Sequence, residues 1–66
     1  METAIEVFKL NVQSHPQSAN AYDSLGEAYA AAGKRQHAIE SYRRVLDLSP
    51  GHAGATKMLE MLLSEE

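Results

Sequence analysis

The run Asn20-Ala21-Tyr22-Asp23-Ser24-Leu25-Gly26-Glu27-Ala28-Tyr29 places its large apolar side chains at Tyr22, Leu25 and Tyr29, with Gly26 between them. Spacings of three and four residues put all of these on one stripe of a helix. A strand would instead alternate apolar and polar residues, and no segment of the chain does so. Ser18 precedes the run as an N-cap whose hydroxyl accepts an amide of the first turn. The helix is predicted from Ser18 or Ala19 to Ala32. Gly33 follows as the left-handed C-terminal residue, with Lys34 and Arg35 at the negative end of the helix dipole.

Three further helices extend from this one. The first is predicted over Glu2 to Gln13, with Ala4, Ile5, Phe8 and Val12 at helical spacing, and His15-Pro16 stops it because a residue before proline is driven out of the α region. The third covers Lys34 or Arg35 to Leu48, its apolar face formed by Ala38, Ile39, Tyr42, Val45 and Leu46, and Ser49-Pro50-Gly51 ends it. The fourth begins at His52 or Ala53 and reaches Ser64, leaving Glu65 and Glu66 frayed. The short connections force neighbouring helices into antiparallel hairpins.

Sliding the chain against itself by 34 residues aligns Ala4 with Ala38, Ile5 with Ile39, Glu6 with Glu40, Pro16 with Pro50, Ala19 with Ala53, Ala21 with Ala55 and Leu25 with Leu59. Phe8/Tyr42, Lys9/Arg43 and Val12/Leu46 are similar pairs in the same register. A fixed period of this size marks stacked helical units. Small Gly26 and Ala38 allow two helices to approach closely. The tyrosines at 22, 29 and 42 are assigned to packing rather than to ligand stacking.

With these residues in hand, Tyr22-x-x-Leu25-Gly26-x-x-Tyr29, then Ala38-x-x-x-Tyr42, then Pro50, resembles the tetratricopeptide repeat signature. Tyrosine stands at Tyr22 where tryptophan is usual, and Val45 where a smaller residue is common. The resemblance implies an all-α fold, a right-handed stack of antiparallel helix hairpins in one domain over residues 1–66. Residues 1–18 resemble the second helix of a preceding repeat, 19–52 a full repeat, and 53–66 the first helix of a following one, although Thr56 and Glu60 depart from the expected aromatic and glycine.

Composition bounds the function. Six basic and nine acidic side chains give a net charge of −3, which argues against nucleic acid, where clustered positive charge supplies most of the affinity. The apolar stretch Met58 to Leu63 is too short to span a bilayer. No basic segment followed by an apolar run opens the chain, so a signal peptide is not visible and a cytoplasmic setting is favoured. There is no cysteine. His15, His37 and His52 share no i, i+3 or i, i+4 relation, and stacking places His37 at the edge opposite the other two, so no metal site is expected. Ser24 and Ser41 are expected to be solvated or weakly packed, and nucleophilic catalysis is not expected. The Lys34-Arg35 and Arg43-Arg44 pairs read as solvated charge. No cofactor is implied.

What remains is a binding module. In the resemblance, the first helix of each hairpin lines a concave face that receives an extended peptide or a helix. Asn20, Asp23, Ser24, Glu27, Ala30 and Ala31 belong to that face, joined by Lys57, Met61 and Ser64 from the fourth helix. Some family members grip a peptide's C-terminal carboxylate there with cationic side chains. Asp23 and Glu27 have the wrong sign for this, so a basic or amphipathic protein ligand is expected instead. Val7 and Leu10 lie off the Ala4–Phe8–Val12 stripe expected to be buried. Leu59, Leu62 and Leu63 are expected to pack on the preceding hairpin, whereas Met58 and Met61 cannot all hide. Val7, Leu10, Met58, Met61 and Leu62 are therefore the self-association candidates, with a homodimer among the expected partners. Fewer than three repeats are rarely stable alone, so the chain either pairs with itself or belongs to a longer protein. The run from Asn20 to Tyr29 also resembles repeat segments that follow hydrolase domains in some bacterial proteins, which implies an accessory or dimerisation segment of a larger enzyme as the alternative.

Overall fold

A computed structural model of the chain describes residues 3–64. They form four helices: α1 (Ala4–Ser14), α2 (Ala19–Ala31), α3 (Arg35–Leu48) and α4 (Ala53–Ser64). The expected start at Glu2 and the expected fraying of Glu65 and Glu66 lie outside the described residues. Each helix packs on the next in chain order. Among the described residues there is no strand.

The boundaries have local causes. Thr3 caps α1, its Oγ1 accepting the Glu6 N–H at 3.2 Å, which fixes the start at Ala4. Ser18 caps α2 in the same way, its Oγ accepting the Ala21 N–H at 3.3 Å. At the C-terminus of α2, Gly33 takes φ 77°. Its N–H donates to the Ala30 carbonyl (3.1 Å) while the Lys34 N–H donates to that of Tyr29 (2.9 Å), so carbonyls of the last turn gain partners beyond the end of the helix. A side chain at position 33 has to adopt that left-handed backbone, which glycine does without steric cost. After Ser49-Pro50-Gly51, His52 opens α4: its Nδ1 accepts the Ala55 N–H at 3.0 Å and its carbonyl accepts the Thr56 hydroxyl at 3.2 Å. Histidine is an uncommon cap, and sequence reading had no reason to select it.

The core sits around α3. Ala38 and Val45 are fully buried and Tyr42 is 1% exposed, with α2 contributing Leu25 and Tyr29 and α4 contributing Ala55, Leu59 and Leu62. Burying a side chain of this size stabilises by roughly 1.5–3 kcal/mol. Ser41, expected to be solvated or weakly packed, is buried among them.

Three expectations about the outer helices are corrected. Among the described residues α1 contains no buried one: Ala4 is exposed, and Ile5, Phe8 and Val12 are half-buried, with α2 as the main cover of this helix. Leu62, placed with the self-association residues, is buried in the core. Leu63, expected to pack inward, is 42% exposed instead. The inward stripe of α4 is Ala55-Leu59-Leu62, and the residue after Leu62 is turned away by about 100° per residue of helix. Met58 is half-buried against the core, whereas Met61 is exposed.

The close approach of α2 and α3 occurs at Gly26. A Cβ built there would lie 3.0 Å from two carbons of the Tyr42 ring. Helix propensity alone favours Gly26→Ala by about 1 kcal/mol. The ring it would strike is buried, and overpacking costs about 1–3 kcal/mol. Gly26→Ala is therefore expected to be neutral to destabilising, and Gly26→Val to lose cooperative melting. Urea titration followed by circular dichroism measures both; a clear gain in stability for Gly26→Ala would contradict the packing.

Candidate functional site

Two clefts flank α2. The first has a volume of about 200 Å³ and is lined by Ala4 and Phe8 from α1 and by Ser24, Glu27, Ala28 and Ala31 from α2. The second, about 280 Å³, lies between Tyr22, Leu25 and Tyr29 of α2 and His37, Ser41 and Arg44 of α3. Small residues create the first, since alanine and serine occupy the positions where α1 and α2 meet.

The residues expected to bind ligand divide between these surroundings. Asn20 and Ala31 are exposed at opposite ends of α2, while Asp23 and Ser24 are half-buried and Glu27 is exposed. Ala30 is half-buried and packs against the core, so it offers less surface than expected. Lys57 is exposed on α4. Ser64, also exposed, donates its hydroxyl to the Met61 carbonyl at 3.0 Å. Ser24 and Glu27 share the first cleft. Asp23 and Glu27 are one helical turn apart, and both bring negative charge to bear on the Tyr42 hydroxyl.

That hydroxyl is held well away from ionisation. Burial, reinforced by Asp23 and then Glu27, pushes the Tyr42 pKa from 10.0 up to about 12. Desolvation and like charge both disfavour the phenolate, so the two effects add. The acidic face and the core are thus electrostatically linked through one side chain.

On the second cleft, Arg44 lies over the Tyr22 ring at 5.7 Å and comes within 4.0 Å of Asp47. The Tyr29 and His37 rings sit 5.0 Å apart, tilted by 39°. Sequence reading assigned Arg44 to solvated charge. The signal that could have found it was the 34-residue register, in which position 44 matches Leu10, an apolar residue. Among the self-association residues, Val7 (47%), Leu10 (55%) and Met61 (49%) are exposed.

A model of the tetratricopeptide repeat matches residues 19–52. The chain belongs to the tetratricopeptide repeat family. No curated protein matches it. The repeat is a non-catalytic protein-interaction element, and this chain is accordingly an interaction module. Among the described residues, no group of three histidine or carboxylate side chains is placed to hold a metal ion, and no helix is long and apolar enough to cross a membrane.

The shifted tyrosine gives a pH dependence. The folded pKa lies above the unfolded value of 10.0, so the stabilisation is complete below pH 10 and is lost as pH rises towards 12. Thermal melts between pH 9 and 11.5 should show a falling Tm for the natural chain and a smaller fall for Tyr42→Phe. Parallel slopes for the two would show that Tyr42 is not the group responsible.

Proposed function

We propose that this tetratricopeptide repeat chain, taken as a single module over residues 1–66 with its full repeat at 19–52, binds a basic or amphipathic segment of a partner protein. The acidic face of α2 is its point of contact. The observation that carries the reading is the pair Asp23 and Glu27, adjacent on one helix and together acting on Tyr42. Asn20, Ser24, Ala30 and Lys57 complete the groove in this reading. A carboxylate pair at this spacing attracts lysine or arginine side chains and repels a peptide's C-terminal carboxylate.

Self-association is a second reading, favoured by the exposure of Val7, Leu10 and Met61. Light scattering across a concentration series tests it, since a constant monomer mass excludes it. The further alternative, an accessory segment of a larger enzyme, rests on the run from Asn20 to Tyr29 and is tested by whether the reading frame continues upstream of Met1 with a catalytic domain.

The groove reading is tested with a lysine-rich amphipathic peptide as the probe. Asp23→Lys combined with Glu27→Lys should weaken its binding about tenfold or more in isothermal titration, given that each exposed charge contact contributes roughly 0.2–1 kcal/mol and reversal turns attraction into repulsion. Unchanged affinity would remove Asp23 and Glu27 from the binding face.

A further inference from the structure

The second cleft lies within one repeat. Its lining comes from α2 and α3, the two inner helices, so neither end of the chain shapes it. A stacked pair closes each end: Tyr29 and His37 sit 5.0 Å apart at one, and Arg44 lies over Tyr22 at 5.7 Å at the other. These two contacts set α2 and α3 antiparallel, and Leu25 and Ser41, both buried, fall between them as the floor. Ser41 is 6% exposed, yet its hydroxyl enters none of the hydrogen bonds formed among the described residues. A hydroxyl withdrawn from water without a partner costs stability until something pairs with it. In the 34-residue register α1 carries Val7 and Leu10 where α3 carries Ser41 and Arg44. The repeat itself therefore calls for neither a hydroxyl nor a guanidinium at these places.

We infer that this cleft seats one tryptophan side chain of a partner protein, whose indole N–H donates to the Ser41 Oγ and whose ring lies against the Arg44 guanidinium. Size selects a single side chain. The cleft holds about 280 Å³, just below the ~300–1,000 Å³ of sites that enclose a small molecule. Polarity selects indole. It offers one polar atom, a donor only, and Ser41 supplies one acceptor on a floor it shares with Leu25. The Arg44 side chain stays 49% exposed while it engages Tyr22, and of the aromatic rings tryptophan attracts a cation best. Glu40 selects the neighbour. It stands on the rim one turn before Arg44 and enters no ion pair among the described residues, the guanidinium lying near Asp47 instead. A lysine or arginine beside the partner's tryptophan complements it.

A second copy of this chain cannot supply the ligand. The chain has no tryptophan, and Phe8, Tyr22, Tyr29 and Tyr42 are all buried or half-buried. Nor is the cleft an extension of the acidic groove. Glu27 is two residues, about 200° of helix, from both Leu25 and Tyr29, which puts it on the side of α2 away from the cleft. None of the groove residues lines it.

The probe is a short capped glycine-serine peptide with a central lysine-tryptophan pair, titrated with the intact 66-residue chain. Since the chain has no tryptophan of its own, the indole emission of the probe reports binding directly. The emission should shift to the blue and saturate, and the chain's backbone amide resonances should move most between His37 and Arg44. Ser41→Ala should weaken binding about threefold to tenfold, the worth of one hydrogen bond. Ser41→Val, which fills the cleft with the side chain that α1 carries in this register, should weaken it at least tenfold. Arg44→Leu changes an exposed residue to its counterpart in α1 and should weaken it about threefold or more, which keeps the test valid should Ser41→Val unfold the chain. Phenylalanine in place of tryptophan in the probe keeps a ring but loses the donor, and should bind about threefold less tightly or worse. Absence of saturation, affinity indifferent to Ser41 and Arg44 in folded variants, or equal binding of the phenylalanine peptide overturns the inference. Free indole binding as tightly as the peptide would assign the cleft to a small molecule and reject a partner protein. The chain bearing Asp23→Lys with Glu27→Lys should bind the probe unchanged; loss of binding there would place the probe in the acidic groove and overturn the inference as well.

Discussion

The contact between Gly26 and the Tyr42 ring sets the separation of α2 and α3, and most other features of the chain follow from it. Without a Cβ at position 26 the helices approach closely enough for Ala38 and Val45 to be excluded from water. Tyr42 then extends beneath α2 until its hydroxyl comes under the influence of Asp23 and Glu27. Close packing, rather than many interactions, carries the stability of so small a chain, since no cysteine is present and the ion pair formed by Arg44 and Asp47 is exposed.

Helix α3 is sandwiched between α2 and α4, whereas α1 has α2 as its main cover within the described residues. Phe8 stands in the register of Tyr42 but is only half-buried. At the other end, Glu60 stands where Gly26 stands in α2, and α4 exposes Met61 and Leu63 beside it. Repeat arrays need polar caps at their ends. Both outer helices of this chain display apolar side chains instead, Val7 and Leu10 on α1 and Met61 and Leu63 on α4.

Much of this was legible before any coordinates. Tyr22, Leu25, Gly26 and Tyr29 mark a helix stripe, Gly33 its end, and Pro50 the limit of the next, because local sterics dictate each of these. The helix that ends at Gly33 closes with the hydrogen bonds a left-handed residue permits. Burial was read less well wherever it depends on a neighbour. Leu62 and Leu63 are chemically identical and adjacent, and only the direction of α3 decides that the first is buried and the second exposed. Arg44 looked like solvated charge until a ring was found beneath it.

The sequence by itself determined that the chain is helical, that its units recur every 34 residues, and that Gly26 and Ala38 mark a close approach, because backbone preference and side-chain size are properties of single residues. The tertiary structure decided which faces remain uncovered, that Asp23 and Glu27 act on one buried hydroxyl, and that Ala4, Phe8 and Ala28 border one cleft. Those are relations between residues distant along the chain, and they exist only once the helices have been set at a definite distance from one another.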